Sequence, residues 1–292
     1  MRKYIILIFC VCLTIVHCAK KEQMPMNIRI MTYNIRLNVA SDSLNAWPHR
    51  KDKVASMIRF HKADIVGVQE ALFEQVQDLA ERLPDLAWLG TGRDDGARAG
   101  EFMAIFYKKE RFKVLRDSTF WLSENPKIPG LGWDAACNRV VTWAQFEDRQ
   151  TGKKFYHFNT HFDHRGEIAR QESAKLLLKK ITQIAGKEPV VVTGDFNSTP
   201  DSLPYRLLTR NLTGFVNSKL IDTKQISHLP HHGSDGTFNG FKLSSLEKTN
   251  QPIDYIFIKN GIKVCSHGTL SDTFNGFFSS DHHPVLAELT IQ

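Results

Sequence analysis

Apolar and polar positions along this chain fall into short strand-like runs separated by stretches with the three-and-four spacing of helices. Residues 29–35 open the pattern as a strand. Residues 49–61 read as a helix, with Val54, Ile58 and His61 on one face. A strand over 65–69 and a helix over 74–83, stopped by Pro84, come next. Strands are predicted over 102–108, 112–122, 139–146 and 154–160, with a Pro- and Gly-rich loop at 123–137. The clearest helix spans 167–185, where Ala174, Leu177, Ile181 and Ile184 recur on one face. The continuous apolar run 190–193 is expected of a strand buried on both faces. A long loop over about 211–250 precedes strands at 253–258 and 285–291. No linker, low-complexity tract or repeat interrupts residues 28–292, which predicts one domain. Helices interleaved with central strands make it α/β, a layered sandwich.

Residues 1–18 do not belong to this pattern. Arg2 and Lys3 precede an apolar stretch, Ile5 to Val16, with the length of a signal-peptide core and too short to span a bilayer comfortably. Residues 19–27 read as a polar tether. Cys18, just ahead of them, invites a lipoprotein reading with ordinary cleavage nearby as the alternative; His17 departs from the small residue usual before a lipidated cysteine. The implied location is across the inner membrane, in the cell envelope, periplasmic or lipid-anchored. Only Cys137 and Cys265 remain in the folded part, as a disulfide or as two buried free thiols.

Among 292 residues, 42% are hydrophobic and 24% charged, ordinary for a soluble globular protein. The net charge of +7 is scattered, without a basic stripe interleaved with aromatics. It fits attraction to anionic substrates and weakens the case for a tight nucleic-acid binder. Trp121 and Trp133 flank the Pro- and Gly-rich loop, either as stacking platforms or as core.

Polar residues collect where strands end. Asp195 and Asn197 follow the 190–193 run two residues apart, so strand alternation would aim both at one place; an Asx turn is the competing reading. Glu70 ends an apolar strand with no Lys or Arg nearby in sequence, a costly position unless a cation or solvent meets it. Magnesium suits one or two carboxylates with several waters, so Glu70 is a candidate ligand; capping the next helix is the alternative. Asn34 occupies the same kind of position. His161 leaves the end of the 154–160 strand, placed to donate to a phosphate oxygen as charge builds. His282 needs a partner to fix its tautomer, and Asp254 is the candidate, leaving Asp281 free to face a metal. The His231-His232 pair is expected at a substrate rim.

The segments Met31-Thr32-Tyr33-Asn34-Ile35, Gly67-Val68-Gln69-Glu70, Asn159-Thr160-His161, Gly194-Asp195-Phe196-Asn197, Ile253-Asp254-Tyr255-Ile256 and Ser280-Asp281-His282-His283-Pro284-Val285 together resemble the endonuclease/exonuclease/phosphatase superfamily, in its order and over nearly the whole domain. The resemblance implies a four-layer α-β-β-α sandwich of two packed mixed β-sheets and a Mg2+ or Mn2+ site at their common edge. It implies metal binding at Asn34, Glu70 and Asp281, and water activation at Asp195 and Asn197. Transition-state stabilisation would fall to His161, and acid/base work to Asp254 with His282. Tyr107 and Arg139 are the softer matches, as substrate contacts. Arg36 departs from the abasic-site endonucleases, which carry an acid there, and the inositol-phosphatase signature is missing.

The chain most resembles the bacterial, envelope-targeted members, with nocturnin-like deadenylases as distant relatives. The function implied is a divalent-metal-dependent phosphoesterase, acting as a monomer by in-line water attack on a phosphomonoester or phosphodiester. A phosphorylated small molecule, a lipid headgroup or nucleic acid would be the substrate. A secreted nuclease and a non-catalytic surface binding protein are the competing readings.

Overall fold

A computed structural model describes residues 24–212, 219–244 and 251–292. The expected signal segment, Cys18 and most of the expected tether lie outside the described residues. In chain order the elements are β1 (Met26–Asn34), α1 (Lys51–Phe60), β2 (Ile65–Gln69), α2 (Phe73–Arg82), β3 (Leu86–Leu89), β4 (Ile105–Lys108) and β5 (Phe112–Trp121). Then come β6 (Val140–Asp148), β7 (Lys154–His161), α3 (Glu167–Ala185), β8 (Val190–Asp195), α4 (Leu203–Thr209), β9 (Ile221–Asp222) and α5 (Thr223–Ile226). The chain closes with β10 (Asp254–Lys259), β11 (Ile262–Thr269), β12 (Thr273–Phe274), β13 (Phe277–Phe278) and β14 (Val285–Ile291).

Two six-stranded sheets form, ordered β11-β14-β1-β2-β4-β3 and β5-β6-β7-β8-β10-β9. Each is mixed: β1 pairs parallel with β2 and β7 parallel with β8, while the other pairs are antiparallel. Strand alternation explains the layers. On β1, Ile28 and Ile30 point between the sheets to meet Phe146, Phe155, Val191 and Ile256. Met31 and Tyr33 point outward, where Val54 and Ile58 of α1 and Val76 and Leu79 of α2 cover them. On the far side, Leu177, Leu178 and Ile181 of α3 cover Phe158, Val190 and Val192. The result is the four-layer α-β-β-α sandwich.

The inter-sheet layer turns polar toward one end. Gln69 Nε2 donates to Asn159 Oδ1 (2.7 Å) and Thr32 Oγ1 (3.1 Å). Asn159 Nδ2 donates across the interface to the carbonyls of Val68 (2.8 Å) and Ala104 (3.0 Å). Buried donors and acceptors so paired fix how one sheet sits on the other. Gly67 makes room for them, since a Cβ there would collide with Thr193 Oγ1 and Asn159 Oδ1.

Several sequence expectations shift. The first strand begins at Met26, which is fully buried and pairs with Ile291, so two residues assigned to the tether belong to the sheet. The expected strand over 102–108 is regular only from Ile105. Strands β3 and β11 and helix α4 fall in stretches where the sequence predicts no element, and β9 and α5 fall in the expected long loop; β11 hides because a bulge between Val264 and Ser266 breaks its alternation. Cys137 and Cys265 are both free and half-buried.

Candidate active site

Topology alone gathers the polar residues at one end. The parallel pair β1–β2 sets Asn34 opposite Gln69, with Glu70 next, and the parallel pair β7–β8 sets His161 opposite Asp195. The antiparallel strand β10 begins there with Asp254 opposite Asp195, and Asp281 and His282 immediately precede β14. Six segments distant in sequence therefore converge on one cleft of about 560 Å³, within the usual range of small-molecule sites.

Asn34 is fully buried and bridges the two sheets, its Nδ2 donating to Glu70 Oε1 (2.9 Å) and to Asp195 Oδ2 (3.0 Å). Its Oδ1 accepts from the Arg36 amide (3.0 Å), so the nitrogen, not the oxygen, faces the carboxylates. Glu70 has a φ of +63°, a conformation rare outside glycine and often held at functional sites. It does not cap α2; Gln75 Oε1 accepts from the Leu72 amide instead. Nor is it without a cation, because Arg36 Nη1 lies 4.0 Å from its Oε2.

Asp195 and Asn197 do converge, but through a turn rather than by strand alternation. The Asn197 amide donates to Asp195 Oδ1 (2.9 Å) and Asn197 has a φ of +46°. The Asx turn expected as an alternative to a functional pair is the device that builds the pair. Asn197 Nδ2 then donates to the Phe162 carbonyl (3.0 Å) and to His161 Nε2 (3.0 Å), which leaves His161 Nδ1 to carry the proton. That Nδ1 is buried without a hydrogen-bond partner, 4.0 Å from Glu101 Oε2.

His282 Nδ1 lies 2.9 Å from Asp254 Oδ2, and its Nε2 is 3.8 Å from Asp195 Oδ2. The exposed ring of Phe238 meets its edge at 5.1 Å. The two histidines are driven apart electrostatically. Burial opposes charge on His282, but Asp254, then Asp195 and Asp281, overcome it and hold the imidazole protonated well above its ordinary range. Burial, followed by the charges of Arg139, Arg93 and His282, pushes His161 well below that range and keeps it neutral. Burial and the neighbouring Asp254 raise the Asp195 carboxyl to about 7, although His282 opposes the shift. Burial also raises Asp281 and Glu101.

Such carboxylates call for a cation. Glu70, His161 and Asp195 offer ligand atoms within 4.8 Å of one another, and so do Asp195, Asp254 and His282. Oxygen-rich donors with an imidazole fit a hard divalent ion. Glu70 is common to this cluster and to the ligand set expected from sequence. Asp281 lines the same cleft, with Arg36 Nε 3.8 Å from its Oδ2.

Arg139 lines the cleft, braced by Asp163 (3.3 Å) and by His164 Nδ1 (3.0 Å). Tyr107 does not reach it. The ring packs on Phe146 (5.1 Å) between the sheets, and Tyr107 pairs with Ile65 at the opposite end of β2. His231 bonds His267 on β11 (2.9 Å) and is not at the cleft rim. Trp121 is core, its Nε1 donating to the Arg93 carbonyl (2.7 Å). Trp133 lines a separate surface depression beside α3. Sequence reasoning did not place Arg36, Glu101, Cys137 or His164 at the cleft; the signal for Arg36 and His164 was their closeness in sequence to Asn34 and His161.

The family model described as Endonuclease/Exonuclease/phosphatase family matches residues 31–282. An endonuclease/exonuclease/phosphatase from Bacteroides vulgatus is 42% identical, with a TM-score of 0.86, over 91% of this chain and 100% of that one. A mannosyl-6-phosphatase from Bacteroides thetaiotaomicron is 35% identical, with a TM-score of 0.83, over 90% of this chain and 100% of that one. Human nocturnin is 25% identical over 267 residues, covering 82% of this chain and 58% of its own length. The chain spans between 24% and 65% of the length of curated relatives such as this.

Proposed function

From a chain that belongs to the endonuclease/exonuclease/phosphatase family, we infer a divalent-metal-dependent phosphoesterase that hydrolyses its substrate by in-line attack of water. The observation that carries the reading is the convergence of Glu70, His161, Asp195 and the Asp254–His282 pair, from segments distant in sequence, on one cleft, with the opposed shifts of His282 and His161 in agreement. Environments that split like groups in this way assign acid and base roles.

Asp195 accepts the proton of the attacking water, oriented by the Asn34 amide on one of its oxygens and the Asn197 backbone on the other. The water oxygen bonds to phosphorus as the bond to the leaving oxygen breaks, and that oxygen takes the electron pair. Protonated His282, fixed by Asp254, presents Nε2 to the same space and donates to the phosphoryl group where charge builds. Arg139 supplies a further donor, and neutral His161 accepts from the Asn197 side chain and so holds the turn beside Asp195. Glu70 would hold the divalent cation, which would offset charge on the phosphoryl and leaving oxygens when bound.

The cleft's modest volume and its pair of arginines favour a single phosphorylated small molecule over a polymer, whose backbone calls for a longer track of cations. The mannosyl-6-phosphatase relative supports a sugar phosphate. A panel of sugar phosphates, lipid headgroup esters, plasmid and RNA, each with Mg2+ or Mn2+ and again with chelator, tests this. Chelator-sensitive phosphate release from a small ester supports it, and turnover confined to nucleic acid overturns it in favour of the nuclease. Envelope placement rests on residues 1–18; labelling with a radioactive fatty acid that Cys18→Ala does not abolish would sink the lipoprotein assignment.

A further inference from the structure

Arg36 is held more firmly than a surface arginine requires. Its φ is +58°. Its amide donates to Asn34 Oδ1 (3.0 Å), and its carbonyl accepts from Gln75 Nε2 (2.9 Å) and Arg50 Nη2 (3.2 Å). The guanidinium is gripped as well, with Nε and Nη2 donating to the two oxygens of Asp42 at 3.0 and 3.2 Å. A two-point fork of this kind fixes the plane of an arginine. Nη1 is left facing the cleft, 4.0 Å from Glu70 Oε2.

Arg139 also lines the cleft, only 4% exposed, and its buried Nη1 makes no hydrogen bond, with Glu101 Oε2 4.0 Å away. A buried cationic donor without a hydrogen bond is costly, and an anionic oxygen within bonding distance is the partner that relieves the cost. Two guanidiniums of the cleft lining thus keep Nη1 groups that no carboxylate approaches closer than 4.0 Å, beside a volume already expected to take a phosphoryl group.

We propose that Arg36 and Arg139 form a two-arginine subsite for a terminal phosphate dianion, making the substrate a phosphomonoester. The assignment rests on the phosphoesterase reading of the same cleft. A monoester offers three unsubstituted oxygens and, with a second ionisation near pH 6, close to two negative charges at neutral pH. A diester offers two such oxygens and one charge. Arginine stays protonated throughout this range, so the added charge is always met. One arginine suffices for a diester; the second has a use only when the extra oxygen and charge are present.

The test compares the full chain with Arg36→Gln and Arg36→Lys in Mg2+, using p-nitrophenyl phosphate and bis(p-nitrophenyl) phosphate, with calorimetric binding of inorganic phosphate as a second readout. Wild type should prefer the monoester. Arg36→Gln should lower monoester kcat/KM and phosphate affinity by about 10- to 100-fold, as a lost charge-assisted hydrogen bond does, with a clearly smaller loss on the diester. Arg36→Lys, which keeps the charge without the fork, should lose less, and it carries the test if Arg36→Gln does not fold. Equal losses on both esters would make Arg36 a support for Glu70 and Asp281 and overturn the proposal; so would an unchanged monoester rate. If wild type hydrolyses neither ester, the phosphoesterase reading fails, and phosphate binding alone decides for or against the subsite.

Discussion

The 2.9 Å bond between His282 Nδ1 and Asp254 Oδ2 ties the approach to β14 in one sheet to the first residue of β10 in the other. Both residues are buried; burial opposes charge on the imidazole, and the Asp254 carboxylate outweighs it and holds the ring protonated. The dyad's charge state thus depends on the two sheets keeping their relative position.

Removing either member should disable turnover without unfolding the chain. His282→Ala and Asp254→Asn should each lower kcat by about 10²- to 10⁴-fold, the usual weight of an acid/base group. Steady-state kinetics beside a circular dichroism spectrum checks this. A folded His282→Ala protein with ordinary turnover would exclude the dyad from the chemistry.

The sheet interface should show itself in stability. Gly67→Ala places a methyl against Thr193 and Asn159, and overpacking of this kind costs about 1–3 kcal/mol. At this chain length, Tm should fall by several degrees. Gly130→Ala, where nothing lies within 4 Å, serves as the control and should leave Tm in place. Equal melting of the two variants would argue against the interface as a close-packed joint.

Stability should also fall in mild acid for a reason outside the cleft. His157 is buried in the inter-sheet layer against Thr193 Oγ1 (2.9 Å), and burial pushes it down to about 3 from an ordinary 6.5. Between those values the unfolded chain binds a proton that the folded chain does not, so stability is lost as pH falls below about 6.5. Its share between pH 7 and pH 5 is about 2 kcal/mol. Urea unfolding of wild type and His157→Gln at both pH values measures it: the variant should lose less on acidification, and an identical loss would acquit His157.

Much of this arrangement was legible in the sequence because strand ends are. Asn34, Glu70, His161 and Asp195 each follow an apolar run whose period is local, and the topology then brings those ends together without help from loops. Arg36, Glu101 and His164 reach the cleft from turns and connections, whose course is set by tertiary contacts such as the Asp42 fork and the Arg93–Glu101 pair (2.6 Å). Tyr107 was misplaced because Phe102 to Ala104 precede the regular strand, which leaves the tyrosine between the sheets against Phe146. The edge strand β3, half-buried throughout, carries no alternation to read.

Hydrolysis of p-nitrophenyl phosphate by wild type and Glu70→Gln, across a titration of Mg2+ and then with excess chelator, bears most directly on metal-assisted phosphoester cleavage in this cleft. The expected result is wild-type turnover that saturates with Mg2+ and vanishes with chelator, together with a Glu70→Gln protein that is folded, needs far more Mg2+ and turns over at least about tenfold more slowly. Turnover indifferent to chelator, or a Glu70→Gln variant with the wild-type response to Mg2+, would contradict it.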